Sequence, residues 1–455
     1  MHDSPEPHAL AAPAPAAPTL FPLPPASAPP PASRDLIDPK RGARLREAER
    51  AQLAWGPIDL AALLPETHPA RAIWAVVEQL DLAALYTQIA ARDARAGASA
   101  IDPKILLALW VYATSEGEGS AREIWRLTQL HAAYRWLCGG VAVGYHTLSD
   151  FRSEQTAVVD TLITQVLALL LRHDLVDLRR VAQDGTRVRA NAGAASFRRA
   201  ATLEALMADA RAHLEAVTRE AADATISARR AAAQKRGAQD RLARLEAALA
   251  QVPEVTATKA RRGAHAAPVR VSTTDPDARV MKMADGGFRP AYNLQFATTA
   301  DAARVIVGVA ATNRGSDQGE STPMLAQIEQ RTGVRPTDLL VDGGYAGHEA
   351  LDEAAAQGVT VYAPVPTPRA GSPRAPAAPR PGDSEPVAAW RARMASAEAK
   401  TIYKARAATA ETVHADAKAH RGLDGLPVRG RGGAFASACL FALTYNILRL
   451  ITLSP

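Results

Sequence analysis

The sequence has few cysteines, few aromatic residues and no clear membrane segment. Its two cysteines, Cys138 and Cys439, exclude a disulfide scaffold and a cysteine-rich zinc fold. Each lies in an apolar stretch, so we expect two buried thiols. Aromatic residues make up 5% of the chain, and the mean hydropathy is −0.11. This hydropathy, with 22% charged residues, excludes a polytopic membrane protein. The most membrane-like run, residues 434–448, is shorter than the about 20 residues of a membrane helix, so a buried core helix is expected.

The net charge of the chain and its first residues indicate which partners and which cellular location to expect. Lysine and arginine total 53 against 47 acidic residues, a net charge of +6. This balance is compatible with a nucleic-acid partner without establishing one. The opening MHDSPEPHALAAPAPAAP has no basic leader, and prolines interrupt its apolar residues. We therefore expect no signal peptide, no membrane partner and a cytoplasmic protein.

The composition and the spacing of apolar residues change along the chain. Alanine and proline dominate residues 1–33, which predicts a disordered tail, and a second Pro-rich stretch at 364–386 predicts an exposed loop. Residues 50–175 have apolar residues at helical spacing and predict an all-helical domain. Trp110, Trp125 and Trp136 are expected in its core.

A mixed α/β domain is predicted after the helices, over residues 178–194 and 264–450. Alternating apolar and polar residues near 184 and 291–311 predict strands, followed by alternating helices and short strands and by one long helix at 388–420. Residues 195–263 are rich in Ala, Glu, Arg and Leu, which predicts a helical insertion between the two parts.

Three carboxylates stand out by position. Asp184 lies among apolar residues on a predicted strand, where an uncompensated charge is costly. Asp342 ends another strand before a Gly-Gly turn, a common place for a ligand site. Glu411 lies on a helix with Lys404 and Lys418 seven residues to either side, so all three share one face.

Each carboxylate also has a purely structural interpretation. Asp184 with its following glycine is compatible with a bulge, Asp342 with a turn, and Glu411 with ordinary helix salt bridges. Together they favour phosphoryl transfer, because carboxylate oxygens are the ligands that Mg²⁺ prefers and two such ions suit phosphodiester chemistry.

Many segments resemble, in order, the bacterial insertion-sequence transposases of the DDE type, which have an RNase H-like catalytic domain. These segments are YHTLSDFR (145–152), DGTRVRANAG (184–193), TDPDARVMK (274–282), AYNLQFA (291–297), LLVDGGY (339–345), AAWRARM (388–394), RAATAETVHADAK (406–418) and RGLDGLPVRG (421–430). The resemblance implies an RNase H-like mixed sheet with flanking helices, preceded by an all-helical DNA-binding domain and interrupted by the helical insertion.

By the same resemblance, Asp184, Asp342 and Glu411 are the catalytic and metal-binding carboxylates, with Asp416 as the alternative third acid. The implied cofactors are two Mg²⁺ ions, with Mn²⁺ as a substitute. No small-molecule cofactor is expected. The implied partners are double-stranded DNA, at the element ends and at the target, and a second copy of the chain when DNA is bound.

A helical signature of the related proteins adds DNA contacts. It reads Tyr, two residues, Arg, three residues, Glu, six residues, Lys. Tyr403, Arg406, Glu411 and Lys418 fit it, except that four residues separate Arg406 from Glu411. Lys404 is therefore an alternative to Arg406 as the phosphate contact.

The resemblance implies a bacterial, nucleoid-associated transposase that binds terminal inverted repeats, cleaves the element ends and joins the 3′-hydroxyl to target DNA. One alternative is a catalytically inactive, transposase-derived DNA-binding protein. Another is a helical adaptor organised by residues 196–250, whose removal would then abolish function.

Overall fold

The computed structural model describes residues 59–91, 99–220, 227–261, 268–366 and 378–454. The predicted disordered tail at 1–33 lies outside this part of the chain, as does the middle of the predicted loop at 364–386. Residues from Asp59 onward form one compact unit.

In the described part of residues 59–172 there are seven α-helices, and proline residues begin two of them. His68 and Asp102 cap helices that start at Pro69 and Pro103, and the Asp102 carboxylate accepts a 2.9 Å hydrogen bond from Lys104 N. The helices are α1 (Pro69–Gln79), α2 (Ala83–Gln88), α3 (Pro103–Ser115), α4 (Ala121–Leu130), α5 (Ala132–Cys138), α6 (Tyr145–Glu154) and α7 (Thr156–Arg172). The prediction of a helical first part is confirmed.

Eight strands follow in the described ranges. They are β1 (Arg180–Arg189), β2 (Phe197–Arg198), β3 (Val271–Ser272), β4 (Arg279–Lys282), β5 (Phe288–Thr299), β6 (Ile306–Thr312), β7 (Asp338–Leu340) and β8 (Thr360–Tyr362). The main sheet has the order β4-β5-β1-β7-β8, and β6 pairs with β5 on the side away from β1. β1 is antiparallel to β5 and parallel to β7. This mixed sheet agrees with the RNase H-like fold predicted from the sequence.

The remaining helices are α8 (Ala200–Glu220), α9 (Ala228–Arg261), α10 (Ser321–Thr332), α11 (His348–Ala356), α12 (Glu385–Ala395), α13 (Ala397–Arg406), α14 (Thr412–Ala415) and α15 (Gly430–Leu453). α8 and α9 pack together around a small core of their own. The short strand β2, which precedes α8, pairs with β3, which follows α9. The helices α8 and α9 form the predicted helical insertion between β1 and β5.

Helix α15 joins the helical part to the sheet. It packs against α3, α7 and β6, and the Asn446 side chain hydrogen bonds both the N–H and the carbonyl of Ile306, at 2.9 and 2.7 Å. Its length and composition would suit a membrane helix, but 72% of its most apolar window is buried inside the protein. The expected buried core helix is confirmed, and Cys138 and Cys439 are both buried thiols.

Two details differ from the sequence predictions. The long helix predicted at 388–420 is interrupted at Ser396, whose backbone is extended and whose hydroxyl accepts a hydrogen bond from Ala399 N to cap a new helix. Trp110 is buried, as predicted, but Trp125 is 43% exposed because its position on α4 faces outward, where the ring packs edge-on against Tyr145.

Candidate active site

Asp184 and Asp342 come together because their strands are parallel neighbours. Ala182 on β1 pairs with Leu340 on β7. Asp184 and Asp342 each follow these paired residues by two positions. The Asp342 carboxylate accepts a 2.7 Å hydrogen bond from Gly344 N, which fixes it in the turn after β7. The structure thus places the two sequence-predicted aspartates side by side at the carboxyl end of the segment where β1 pairs with β7.

The Asp184 carboxyl group is largely, though not fully, buried and has a perturbed pKa. Burial raises this pKa to about 6, the positive charge of Arg406 opposes the rise, and the negative charge of Asp342 adds to it. One oxygen accepts a 2.9 Å hydrogen bond from Gly185 N, and the other lies 2.9 Å from Arg406 Nη2. A raised pKa beside a second carboxylate is typical of functional sites.

The helix after Ser396 carries the other predicted residues. Arg406 is mostly buried and pairs with Asp184, whereas Lys404 is exposed. Tyr403 is half-buried, and burial raises the pKa of its hydroxyl. Lys418 is also half-buried, and burial lowers the pKa of its amine, while Asp424 opposes that change. Of the two alternatives for the basic contact, Arg406 is the one that the structure brings to the aspartates.

A π-helical turn resolves the unusual spacing between Arg406 and Glu411. The helix is α-helical up to Arg406 and π-helical over Ala407–Glu411. In a π-helix residues five apart lie one turn apart, as residues about four apart do in an α-helix. The additional residue between Arg406 and Glu411 therefore falls within this π turn.

Glu411 itself is exposed. Among the described residues, no hydrogen bond or ion pair joins it to Asp184 or Asp342. Asp416, the alternative third acid, is bound elsewhere, because its carboxylate pairs with Arg421 at 3.1 Å. The third carboxylate remains a prediction, and Glu411 fits it better than Asp416 because its side chain is not held by a cation.

His414 is a site residue that sequence reasoning missed. Its Nδ1 lies 3.7 Å from the Asp184 carboxylate, and its ring faces Phe296. Burial lowers the pKa of His414 to about 4, and the neighbouring charges of Lys418 and Arg406 add to the effect. The imidazole is therefore neutral at physiological pH. The sequence feature that could have indicated His414 is its position three residues after Glu411.

The aspartate pair fits a divalent cation in ligand type and charge. Carboxylate oxygens are the preferred ligands of Mg²⁺, and the repulsion that Asp342 exerts on Asp184 is the kind of interaction that a bound cation relieves. In the described part of the chain, however, no three His, Cys, Asp or Glu side chains converge as a complete set of ligands. The aspartates would hold the ion, and Glu411 would have to approach them.

A groove lined in part by basic side chains reaches the loop between β6 and α10. Arg261 at the end of α9, Arg270 before β3 and Arg314 after β6 line it and are exposed. Ser316 and Gln318, from the loop between β6 and α10, line it as well. This groove offers positive charge to a phosphate backbone.

Two family models match the chain. Residues 58–154 match a model described as "Transposase domain (DUF772)", and residues 379–451 match one described as "Transposase DDE domain". The first covers the helices α1–α6, and the second covers α12–α14 and most of α15. Neither curated proteins nor solved structures give a significant match.

Proposed function

We propose that this chain, which its two matches identify as a DDE-type insertion-sequence transposase, cleaves the ends of its own element and joins them to target DNA. The observation that carries the proposal is the side-by-side placement of Asp184 and Asp342, with Arg406 against the first of them. The resemblance predicts that the two aspartates meet, and the parallel pairing of β1 with β7 supports this prediction.

The reaction has two phosphoryl transfers. Water attacks the phosphorus at each element end, and the bond to the 3′ oxygen breaks to leave a 3′-hydroxyl. That hydroxyl then attacks a phosphorus of target DNA and displaces another 3′ oxygen. Asp184, Asp342 and Glu411 would hold two Mg²⁺ ions, or Mn²⁺ as a substitute. When bound, these ions supply Lewis acidity at the reacting phosphate.

The residues around the aspartates have separate roles. Arg406 neutralises Asp184 in the metal-free protein, so that two carboxylates can stay close together. Lys404 is exposed and suits a contact to the phosphate backbone. Tyr403 on α13 and Lys418, in a second π-helical stretch at Asp416–His420, are half-buried. His414 is neutral, so it contributes a hydrogen-bonding group without positive charge.

DNA recognition would be shared between two surfaces. The helical region, predicted as residues 50–175, reads the inverted repeats, and the basic groove of Arg261, Arg270 and Arg314 guides the backbone to the site. The catalytic domain comprises 178–194 and 264–450, with the insertion at 195–263 and the loop at 364–386. We further propose that the protein acts at the bacterial nucleoid, in the cytoplasm, as a homodimer on DNA, with no membrane partner and no small-molecule cofactor.

A second candidate is a catalytically inactive, DNA-binding relative of a transposase. The exposed position of Glu411, away from the aspartates, favours it. On that proposal the chain binds element ends but does not cut them.

A cleavage assay distinguishes the two candidates. Purified protein is incubated with a supercoiled plasmid that carries the ends of the encoding element, with Mg²⁺ or with EDTA. We expect metal-dependent cuts at the ends, lost in Asp184→Asn and kept in Asp285→Asn, which removes an exposed carboxylate between β4 and β5. Specific end binding without cuts would support the inactive relative, and neither binding nor cuts would overturn both.

A further inference from the structure

A third aspartate, Asp317, lies against both glycines that follow the two aspartates of the site. A Cβ added to Gly185 would overlap the Asp317 carboxylate, and one added to Gly344 would lie 3.9 Å from its second oxygen. Neither glycine has a positive φ, so backbone conformation does not require them. A side chain is missing after Asp184 because Asp317 and the side-chain amides of Gln295 and Asn293 occupy this space.

Asp317 is held by amide side chains of β5. Its Oδ1 accepts hydrogen bonds from Asn293 Nδ2 at 2.6 Å and from Gln295 Nε2 at 2.7 Å. Gln295 is itself fixed, because its Oε1 accepts a hydrogen bond from the Tyr345 hydroxyl. These two hydrogen bonds to one carboxylate oxygen anchor the loop between β6 and α10 to the sheet.

The second oxygen of Asp317 and the Asp342 carboxylate both lie near Gly344. Asp342 Oδ1 lies 2.9 Å, and Asp317 Oδ2 lies 3.9 Å, from the position that a Cβ on Gly344 would take. Two carboxylate oxygens thus border the same small space. Among the described residues, no lysine or arginine forms an ion pair with Asp317, although Asp184 has Arg406.

The same pocket has an unsatisfied acceptor. Asn293 is 1% exposed, and its Oδ1 has no hydrogen-bond donor in the described structure. This oxygen lies 2.7 Å from the Cβ position of Gly185, in the space beside Asp317. A buried acceptor without a donor is costly, and it points to a ligand that brings donors, such as the water shell of a cation.

We propose that Asp317 is a further anionic residue of the cation site, acting as a positioning residue for the waters of a divalent ion held by Asp184 and Asp342. Mg²⁺ keeps several waters when it is bound by one or two carboxylates, and those waters need acceptors. The inference rests on the proposed function, since it concerns the same site. It adds an outer carboxylate to the two inner ones, in agreement with the absence of a three-ligand cluster in the described part of the chain.

Binding of Mn²⁺ tests the role without relying on activity. The free ion is counted by electron paramagnetic resonance during titration of the wild type, Asp317→Asn, Asp184→Asn and the control Asp285→Asn. Asparagine keeps the acceptor oxygen for Asn293 and Gln295, whereas the second oxygen, which would accept from the waters, is replaced by an amide group and the charge is lost. We expect the dissociation constant to rise about tenfold in Asp317→Asn, as loss of one charge near a divalent ion implies, and to stay unchanged in the control.

Thermal unfolding in EDTA separates this role from a structural one. Because Asp317 repels the neighbouring aspartates, Asp317→Asn should unfold at the same or a higher temperature than wild type when no cation is present. With Mn²⁺ it should gain less stability than wild type.

The outcomes discriminate between the two proposals. Unchanged Mn²⁺ affinity in Asp317→Asn, together with weakened affinity in Asp184→Asn, would overturn the role of Asp317 and keep the proposed function. A lower unfolding temperature in EDTA with unchanged affinity would make Asp317 structural only. If the wild type binds no Mn²⁺, both proposals fail.

Discussion

Replacing Asp184 by asparagine should stabilise the metal-free protein at neutral pH. Burial and the charge of Asp342 raise the pKa of Asp184 from 3.8 to about 6, although Arg406 lies 2.9 Å away. That change corresponds to about 3 kcal/mol of unfavourable interaction with the ionised form. An amide is neutral at every pH and avoids this cost. The free energy of unfolding at pH about 7.5 should therefore increase by up to about 3 kcal/mol.

The sign of the effect fixes its pH dependence. Between pH about 4 and 6 the unfolded chain loses the Asp184 proton before the folded protein does, so the folded protein binds more protons. Wild-type stability therefore falls across this range relative to Asp184→Asn. The difference is complete above the folded pKa of about 6. It disappears below pH about 4, where the carboxyl group is protonated in both states.

Urea unfolding with EDTA present, at pH about 7.5 and again below pH about 4, measures the difference. Asp285→Asn is a matched control, because that carboxylate is exposed and pairs with Arg289. Its removal should not stabilise the protein. Equal stability of wild type and Asp184→Asn at neutral pH, or a larger difference in acid, would refute the electrostatic reasoning.

Three further predictions follow from the same structure. Arg406→Ala should raise the pKa of Asp184 further, as followed by carboxyl carbon NMR in EDTA, because the opposing charge is lost; an unchanged pKa would contradict the ion pair. Gly185→Ala should lower the free energy of unfolding by about 1–3 kcal/mol in a urea titration, through overlap with its buried neighbours. Gly343→Ala should be nearly neutral there, since its Cβ would meet only a carbonyl oxygen at 3.7 Å. Asn446→Ala should cost about 2–4 kcal/mol in the same assay, because two buried backbone groups of β6 lose their partner.

The sequence could predict the aspartate pair because local patterns mark it. Asp184 interrupts an apolar strand, and Asp342 follows another strand before two glycines. Parallel pairing of these strands then brings the carboxylates together. The strand and helix order was predictable for the same reason, since alternation and helical spacing are local properties.

Other parts of the site depend on contacts that no local pattern encodes. Asp317 lies in a polar loop, GSDQGE, that reads as an ordinary turn, and its importance appears only when β5 supplies two amide donors. The π turn before Glu411 has α-helical sequence preferences, so the spacing looked like a mismatch. Likewise, a single extended residue, Ser396, divides one amphipathic stretch into two helices.

The helical insertion has a consequence for how the chain folds. Arg189 at the end of β1 pairs with Ala291 on β5, so this central pairing closes a loop of roughly a hundred residues, which is entropically slow. The helices α8 and α9 form their own contacts, and the β2–β3 pair joins Phe197 to Ser272 at their base. Once the β2–β3 pair has formed, only short segments of chain connect it to the central strands β1 and β5. We therefore predict that the insertion forms early in folding, and that a mutation that loosens its small core slows refolding of the catalytic sheet, measured by stopped-flow, more than it lowers equilibrium stability.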